Sequence, residues 1–128
     1  THQPWIARGV LTVAEVDAVN RYVVDTLREC GAEIQGVYCC PHDRAEQCRC
    51  IKPKPFFLEQ AAAEYGIDLT RSYSVGDHPH DVAFAENVGG TGIYVLTGHG
   101  ARHRDSIGSG TIVVADIGEA ADAILART

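Results

Sequence analysis

Four residues that commonly bind soft metal ions lie within eleven positions of this chain: Cys40, His42, Cys48 and Cys50. Three thiolates and one imidazole form a closed tetrahedral ligand set of the kind that holds structural zinc. The chain continues directly into a Lys-Pro-Lys-Pro run at 52–55. A metal here would fold residues 40–54 into one loop and hold Lys52 nearly rigid. Because a fixed ammonium group suits a phosphate, the segment predicts a zinc-bound loop presenting a lysine to an anionic site.

The other readings of these cysteines are disulfides and free thiols. The chain has five cysteines, an odd number, and disulfide-stabilised domains are usually shorter, richer in cysteine and secreted. The close spacing of the four ligands favours a metal in a reducing compartment, and so a cytoplasmic protein. Cys30 and Cys39 fall outside the set and are expected to be ordinary buried side chains.

The overall composition is that of a single globular domain over residues 1–128. Hydrophobic residues make up 45% of the chain and charged residues 22%. The net charge of −6 argues against general binding to nucleic acid. The apolar stretches are far shorter than a membrane span, so no membrane partner is expected.

Strand-like and helix-like segments alternate along the chain. A capping box at Thr12 and Glu15 begins a helix with apolar residues at helical spacing, and Gly31 suits its end. Further helices are predicted at 55–65, 81–88 and 116–125, and strands at 34–39, 72–77, 92–96 and 111–115. The Gly-, His- and Arg-rich stretch 97–110 is predicted to be a loop. This alternation indicates an α/β fold with a parallel sheet, whose ligands bind beyond the carboxyl ends of the strands.

Two carboxylates, Asp77 and Asp81, lie four residues apart where a predicted strand turns into a helix. Hard oxygen ligands at such a turn suit Mg²⁺, which usually takes one or two carboxylates together with water and substrate phosphate. The alternative is that Asp81 caps the following helix. The neighbouring lysine run and the cysteine loop favour the magnesium interpretation.

Histidines surround this acidic turn in the sequence. His78 and His80 are expected to line a polar loop and contact substrate or water, in preference to forming a second transition-metal site. His99 and His103 lie in the 97–110 stretch, which is expected to be a solvated loop. A mobile cover over a bound anion is the alternative for that stretch.

Four blocks of the sequence, in order, resemble the haloacid dehalogenase (HAD) superfamily. Residues 1–9, THQPWIARG, are similar to its second motif, and residues 52–55 and 75–81 to its third and fourth. The cysteine loop running directly into Lys-Pro-Lys-Pro resembles the zinc-containing branch, which holds heptose bisphosphate phosphatases and histidinol-phosphate phosphatases. The resemblance implies a Rossmannoid three-layer sandwich with a parallel sheet.

The resemblance also implies a Mg²⁺-dependent phosphomonoesterase of carbohydrate metabolism, acting on a small phosphorylated metabolite and working as a monomer. Thr1 and Lys52 would steady the transferring phosphoryl group, Asp77 would bind magnesium with Asp81 supporting that shell, and structural zinc would occupy the cysteine loop. The substrate contacts carried over are Thr1, His2, Gln3, Arg8, Ile51, Lys52 and His78.

Three positions depart from the family pattern on the substrate side. His2 stands for an asparagine, Ile51 for an arginine and His78 for a lysine. Losing two fixed cations leaves the substrate open between a sugar bisphosphate, with D-glycero-D-manno-heptose 1,7-bisphosphate as the leading candidate, and histidinol phosphate.

The first HAD motif, Asp-x-Asp, does not occur in residues 1–128. In the family these aspartates are the nucleophile and the general acid. We therefore expect an N-terminally incomplete HAD-like domain, inactive alone and lacking its central strands, with about 45–60 further residues before Thr1 in the complete protein. The alternatives are a catalytically dead HAD-like module that binds a phosphorylated ligand or a protein, and, less favoured, a zinc-ribbon interaction module.

Overall fold

The computed structural model describes residues 1–128, which divide into two compact units, residues 1–51 and residues 52–128. None of the helices is both long and apolar enough to cross a lipid bilayer. The α-helices are α1 (Pro4–Ala7), α2 (Val13–Glu29), α3 (Phe56–Tyr65), α4 (Pro79–Glu86) and α5 (Ile117–Leu125). The strands are β1 (Tyr73–Gly76), β2 (Thr91–Val95) and β3 (Ile112–Val114), and the 3₁₀ helices are Arg44–Glu46, Leu69–Arg71 and Gly100–Ser106.

The first unit contains the predicted amphipathic helix, α2. The Thr12 hydroxyl accepts from the backbone N–H of Glu15, and the Glu15 carboxylate accepts from the backbone N–H of Thr12, so the predicted capping box is confirmed. Of the apolar residues in the helix, Val16 is buried, whereas Val19 and Val23 remain 62% and 47% exposed. The helical spacing therefore predicted the helix correctly, but most of the apolar side chains on its predicted buried face are exposed to solvent.

The predicted strand at 34–39 is wrong. Residues 32–39 have no regular secondary structure, and pairing is limited to one parallel bridge between His2 and Cys40. The backbone nitrogen of Thr1 donates to the carbonyl of Tyr38, and the backbone N–H of Cys40 donates to the carbonyl of Thr1. A strand needs a partner for its backbone groups along its length, and the pairing observed here is limited to this short stretch.

The second unit is built on a three-stranded parallel sheet in the order β1-β2-β3, which confirms the predicted α/β class. Along β2, successive side chains alternate between the two faces. Gly92 faces α4, where a side chain would overlap Val82. Ile93 and Val95 face the opposite way and form the core with Ala120 of α5. The two helices therefore cover opposite faces of the sheet, which gives three layers.

Two boundaries in the second unit differ from the sequence prediction. Helix α4 begins at Pro79, two residues before the predicted start, because His78 occupies its N-cap and Asp81 its third position. The stretch predicted as a loop from 97 to 110 contains a seven-residue 3₁₀ helix, Gly100–Ser106. This 3₁₀ helix has no apolar periodicity in its sequence. Its conformation depends on tertiary contacts, which the sequence pattern does not predict.

Candidate functional site

The predicted metal ligands of the first unit converge. Their ligand atoms all lie within 4.8 Å of one another, with Cys40 and Cys50 buried. The three sulfur–sulfur distances are 3.3–3.5 Å, and Nδ1 of His42 lies 3.3 Å from Cys50 Sγ and 3.8 Å from Cys40 Sγ. Ligands on a tetrahedral zinc ion are separated by about 3.5–3.8 Å. The cluster formed by Cys40, His42, Cys48 and Cys50, which we call the cysteine cluster, is thus close to the size that zinc requires.

Local hydrogen bonds shape the loop between the two halves of the cysteine cluster. The Asp43 carboxylate accepts from the backbone N–H of Ala45 and begins the 3₁₀ helix Arg44–Glu46, while Glu46 accepts from the backbone N–H of Asp43. Gln47 then adopts a left-handed conformation with φ of 48°, which reverses the chain toward Cys48. These short-range bonds bring the two ligand pairs face to face.

The thiols of the cysteine cluster differ in acidity. Burial raises the pKa of Cys40 to about 12, and the neighbouring Cys48 and Cys50 sulfurs add to the shift. Burial also tends to raise the pKa of Cys48, but the hydrogen bonds from Cys40 and Cys50 outweigh this effect, so the pKa of Cys48 is lowered. Three thiolates at such short distances repel one another, so a divalent cation is the natural counter-charge for the set.

Two residues of the N-terminal segment support this loop. Nε2 of His2 donates to the backbone carbonyl of His42 at 2.9 Å, since a carbonyl can only accept. Nε of Arg8 donates to the Asp43 carboxylate at 2.6 Å, and its guanidinium group lies 5.1 Å from the ring centroid of Trp5. His2 and Arg8 therefore hold the cysteine loop in place. The substrate contacts predicted for them stay predictions.

In the second unit, Lys52 and Asp81 form an ion pair. The Lys52 ammonium donates to Oδ1 of Asp81, and the backbone N–H of His78 donates to Oδ2 at 3.1 Å. The Asp81 side chain is 9% exposed. A Cβ atom at Gly76 would overlap this carboxylate, so glycine is needed at the end of β1. Asp81 thus caps α4, as the alternative reading proposed, and also pairs with Lys52, while its predicted support of a magnesium shell stays a prediction.

The segment after Lys52 has a second attachment to α4. The side-chain amide of Asn87 donates to the carbonyl of Pro53 at 2.9 Å. Lys52 contacts Asp81 in the first turn of α4, and Pro53 contacts Asn87 at its end. The start of the Lys-Pro-Lys-Pro run therefore lies along this helix. Asn87 was not among the predicted residues, because nothing in the sequence links it to position 53.

Asp77 lies just beyond the carboxyl end of β1 and keeps 37% of its side chain exposed. Its Oδ2 accepts from the backbone N–H of His99 at 2.7 Å. Gly98 has φ of 59°, and a side chain there would overlap the same carboxylate. The loop after β2 therefore packs against Asp77 and fixes its orientation, while leaving oxygen accessible to a hard cation.

Tyr94 lies beneath this loop and is fully buried. Its hydroxyl donates to the carbonyl of Gly100 at 2.8 Å. Burial raises the pKa of the Tyr94 phenol, the charges of Asp77 and Asp81 raise it further, and Arg104 opposes them. The phenol is therefore a neutral donor that ties the 3₁₀ helix Gly100–Ser106 to the sheet.

The remaining predicted residues are placed as follows. Thr1 and Gln3 pair with the segment entering the cysteine loop, since the backbone N–H of Gln3 donates to the carbonyl of Cys40 at 2.8 Å. Ile51 is buried with 5% exposed, and its predicted substrate contact stays a prediction. The expectation that Cys30 and Cys39 are buried is wrong: Cys30 is exposed and Cys39 is half-buried. Cys30 is the C-cap residue of α2.

The fold and these sites define an α/β protein with acidic side chains at the carboxyl end of a parallel sheet. The sequence profile of the HAD-hydrolase-like family matches residues 49–120, more than half of the chain. The chain belongs to this family.

The chain is also similar to individual members of this family. A D-glycero-beta-D-manno-heptose-1,7-bisphosphate 7-phosphatase of Pseudomonas aeruginosa is 34% identical over 98% of this chain and 71% of its own length. An enzyme of the same name from Neisseria meningitidis is 33% identical over 80% of the chain, which spans 54% of that relative. A similar solved structure is that of a D,D-heptose 1,7-bisphosphate phosphatase from B. bronchiseptica, complexed with magnesium and phosphate. The match covers all of this chain and 73% of that chain, with a TM-score of 0.90 and 29% sequence identity.

Proposed function

We propose that the complete protein is a Mg²⁺-dependent phosphomonoesterase that hydrolyses a small phosphorylated metabolite. The observation that carries this proposal is the ion pair between Lys52 and the buried Asp81, which fixes an ammonium group in the same unit as the accessible carboxylate of Asp77. A fixed cation and a metal-binding acid are the two components that phosphoryl transfer needs most, because the reaction depends on positioning and charge neutralisation.

The donor set at Asp77 fits magnesium. It offers a partly exposed carboxylate, and Mg²⁺ usually takes one or two protein carboxylates and completes its shell with water and phosphate oxygen. A magnesium ion at Asp77 would neutralise charge on the bound phosphoryl group. Lys52 would contact the same group, and Asp81 would act through Lys52 by holding its ammonium in place. Thr1 is the predicted hydroxyl donor to a phosphate oxygen.

The cysteine cluster would hold structural zinc. Its four donors form a closed set, which leaves no position for substrate and argues against a catalytic zinc. Its role would be to stiffen residues 40–50 and thereby the start of the Lys-Pro-Lys-Pro run, which follows Cys50 after a single residue. Thiolate ligands also fit the reducing cytoplasm predicted from the cysteine spacing.

The nucleophile would lie outside residues 1–128, since no Asp-x-Asp occurs within them. In the reaction that the family implies, an aspartate oxygen bonds to phosphorus while the ester P–O bond breaks. A second aspartate gives its proton to the departing alcohol oxygen. Water then attacks the phosphoaspartate, which releases inorganic phosphate and restores the carboxylate. Lys52 would contact the phosphoryl oxygens in both steps, and Asp77 would hold the Mg²⁺ whose charge offsets theirs.

The leading substrate is a sugar bisphosphate such as D-glycero-D-manno-heptose 1,7-bisphosphate, because relatives aligned over most of this chain carry that activity in their names. Histidinol phosphate is the alternative, since Ile51 and His78 replace two cations of the family pattern. The two substrates differ in charge and in the hydroxyls near the scissile ester, so one assay separates them.

The experiment measures phosphate release by the protein produced from its complete gene, with heptose bisphosphate and histidinol phosphate as parallel substrates. We expect magnesium-dependent turnover that EDTA abolishes, with a higher kcat/KM for the bisphosphate. Preference for histidinol phosphate would transfer the assignment to the alternative substrate. No release from either ester, or from a broader panel of phosphate esters, would contradict the phosphatase proposal.

A second candidate is a catalytically dead HAD-like module that binds a phosphorylated ligand. The absence of Asp-x-Asp from residues 1–128 is the observation that favours it. It predicts that the protein from the complete gene binds phosphate esters in calorimetry without hydrolysing them. Turnover that survives repeated purification and is lost on Asp77→Asn would exclude it.

A further inference from the structure

His103 is less exposed to solvent than the residues around it. The 3₁₀ helix Gly100–Ser106 is exposed at Ala101, Arg102, Arg104 and Asp105, but the side chain of His103 is half-buried. Its ring lies 4.7 Å from that of His78, between centroids, at 60°. The His78 ring in turn lies 4.6 Å from that of His80. Three imidazoles from two different segments therefore form one continuous surface, which we call the histidine wall.

The segment that carries His103 is firmly held. The buried Tyr94 hydroxyl donates to the carbonyl of Gly100 at its first residue. Gly100 is itself buried, and a side chain there would overlap the carbonyl of Val95. His103 therefore contacts His78 from a helix that is attached to the sheet, although most residues of Gly100–Ser106 are exposed, as expected of a solvated segment.

The same segment is attached to the candidate magnesium ligand. The backbone N–H of His99, one residue before the 3₁₀ helix, donates to Asp77 at 2.7 Å. His78 follows Asp77 directly in the chain and caps α4. The histidine wall therefore includes the residue that follows the acid in the chain, His78, and reaches His103 on the 3₁₀ helix.

We propose that His103, together with His80 and His78, recognises the alcohol part of the phosphate ester, and that this part is a hydroxyl-rich carbon chain. This inference rests on the proposed phosphatase function and adds to it the surface that binds the alcohol leaving group. His103 is the specificity-determining residue on the 3₁₀ helix. It contacts substrate hydroxyls and does not contact the phosphoryl group.

The chemistry of the histidine wall favours hydroxyls. A neutral imidazole such as that of His103 carries one donor and one acceptor, which matches the dual character of a hydroxyl. A metal site is disfavoured, because Nδ1 of His78 accepts from the backbone N–H of His80 at 3.3 Å and is therefore turned toward the backbone. Sites built to hydrogen-bond a substrate hydroxyl discriminate strongly against esters that lack it.

The test compares two esters with the protein from the complete gene: D-glycero-D-manno-heptose 1,7-bisphosphate, which is rich in hydroxyls, and p-nitrophenyl phosphate, which has none on its leaving group. His103→Phe keeps a ring against His78 but removes the hydrogen-bonding atoms. We expect kcat/KM for the heptose ester to fall by about tenfold, the size of one or two lost hydrogen bonds, with less than a threefold change for p-nitrophenyl phosphate.

Two further variants complete the test. His103→Gln retains a donor and an acceptor and should recover part of the loss, and Ser106→Ala, an exposed position on the same 3₁₀ helix, should match the wild type on both esters. Equal losses on both esters with His103→Phe, or no loss on either, would overturn the proposal while leaving the phosphatase function intact. A wild-type protein that hydrolyses neither ester would overturn both.

Discussion

Lys52 and Asp81 are 29 residues apart in the chain and form an ion pair at the first turn of α4. The carboxylate is 9% exposed and the lysine side chain 28% exposed. A buried carboxylate is costly to leave without its ammonium partner, so Asp81 favours a position of the Lys52 ammonium against it. This arrangement makes Lys52 a positioned cation and no longer merely a residue of a basic run.

Replacing Lys52 should therefore be far more harmful than replacing its neighbour. Lys52→Ala is expected to lower kcat/KM for phosphate release by about 10²–10³, the range seen when one preorganised charge-stabilising donor is removed. Lys54 is exposed and serves as the matched control, so Lys54→Ala should remain within threefold of the wild type. A loss under threefold for Lys52→Ala would show that Lys52 is a surface lysine without a catalytic role.

Removing one zinc ligand should loosen the loop without removing magnesium. Cys48→Ser is expected to abolish stoichiometric zinc in elemental analysis, to speed hydrogen exchange over residues 40–54, and to raise the Michaelis constant. Cys30→Ser, which changes an exposed cysteine outside the cysteine cluster, should do none of these. Unchanged kinetics after verified zinc loss would refute the positioning role of the loop.

Gly76 should not tolerate a side chain. A methyl group at this position overlaps the carboxylate of Asp81, so Gly76→Ala must displace the acid or the end of β1. We expect a loss of stability of about 1–3 kcal/mol in urea unfolding, the usual range for overpacking, together with reduced turnover. Gly110→Ala, where no atom lies within 4 Å, is the control. Equal stability of the two variants would mean that the acid moves freely.

The capping box of α2 should respond to pH with a defined sign. Hydrogen bonds from the backbone N–H and the hydroxyl of Thr12 hold the pKa of Glu15 below its ordinary 4.5. A lowered pKa in the folded state means that the stabilisation is present above pH 4.5 and is lost as the pH falls through the folded value. Thr12→Ala should therefore lower Tm at pH 7 and have a smaller effect at pH 3.

The carboxyl resonance of Glu15 provides a direct readout of the same capping box. An NMR titration should give a pKa below 4.5 in the wild type, and Thr12→Ala should move it part of the way back, because the backbone donor remains. A wild-type pKa at or above 4.5 would contradict the capping geometry.

The sequence predicted the parts of the fold whose signals are local. The three strands of the second unit fall within about one residue of their predicted bounds, because each is a short apolar run next to turn residues. The cysteine cluster was likewise predictable, since its four ligands lie in one eleven-residue segment.

Structure that depends on partners was not predictable. The apolar run at 34–39 has strand composition, but its pairing is limited to the bridge between His2 and Cys40. The 3₁₀ helix Gly100–Ser106 is held by the Tyr94 hydroxyl, and His103 gains its position through that helix. No spacing rule connects positions 94, 100 and 103 to His78, so the histidine wall could only be found in three dimensions.

The most direct test of the account is a magnesium titration of phosphate release from heptose bisphosphate, comparing the wild type with Asp77→Asn and with Asp105→Asn, an exposed acid on the 3₁₀ helix. We predict that Asp77→Asn lowers kcat/KM by at least about 10² and shifts the magnesium requirement upward, while Asp105→Asn follows the wild-type curve. Wild-type activity and an unchanged magnesium requirement for Asp77→Asn would contradict the central claim.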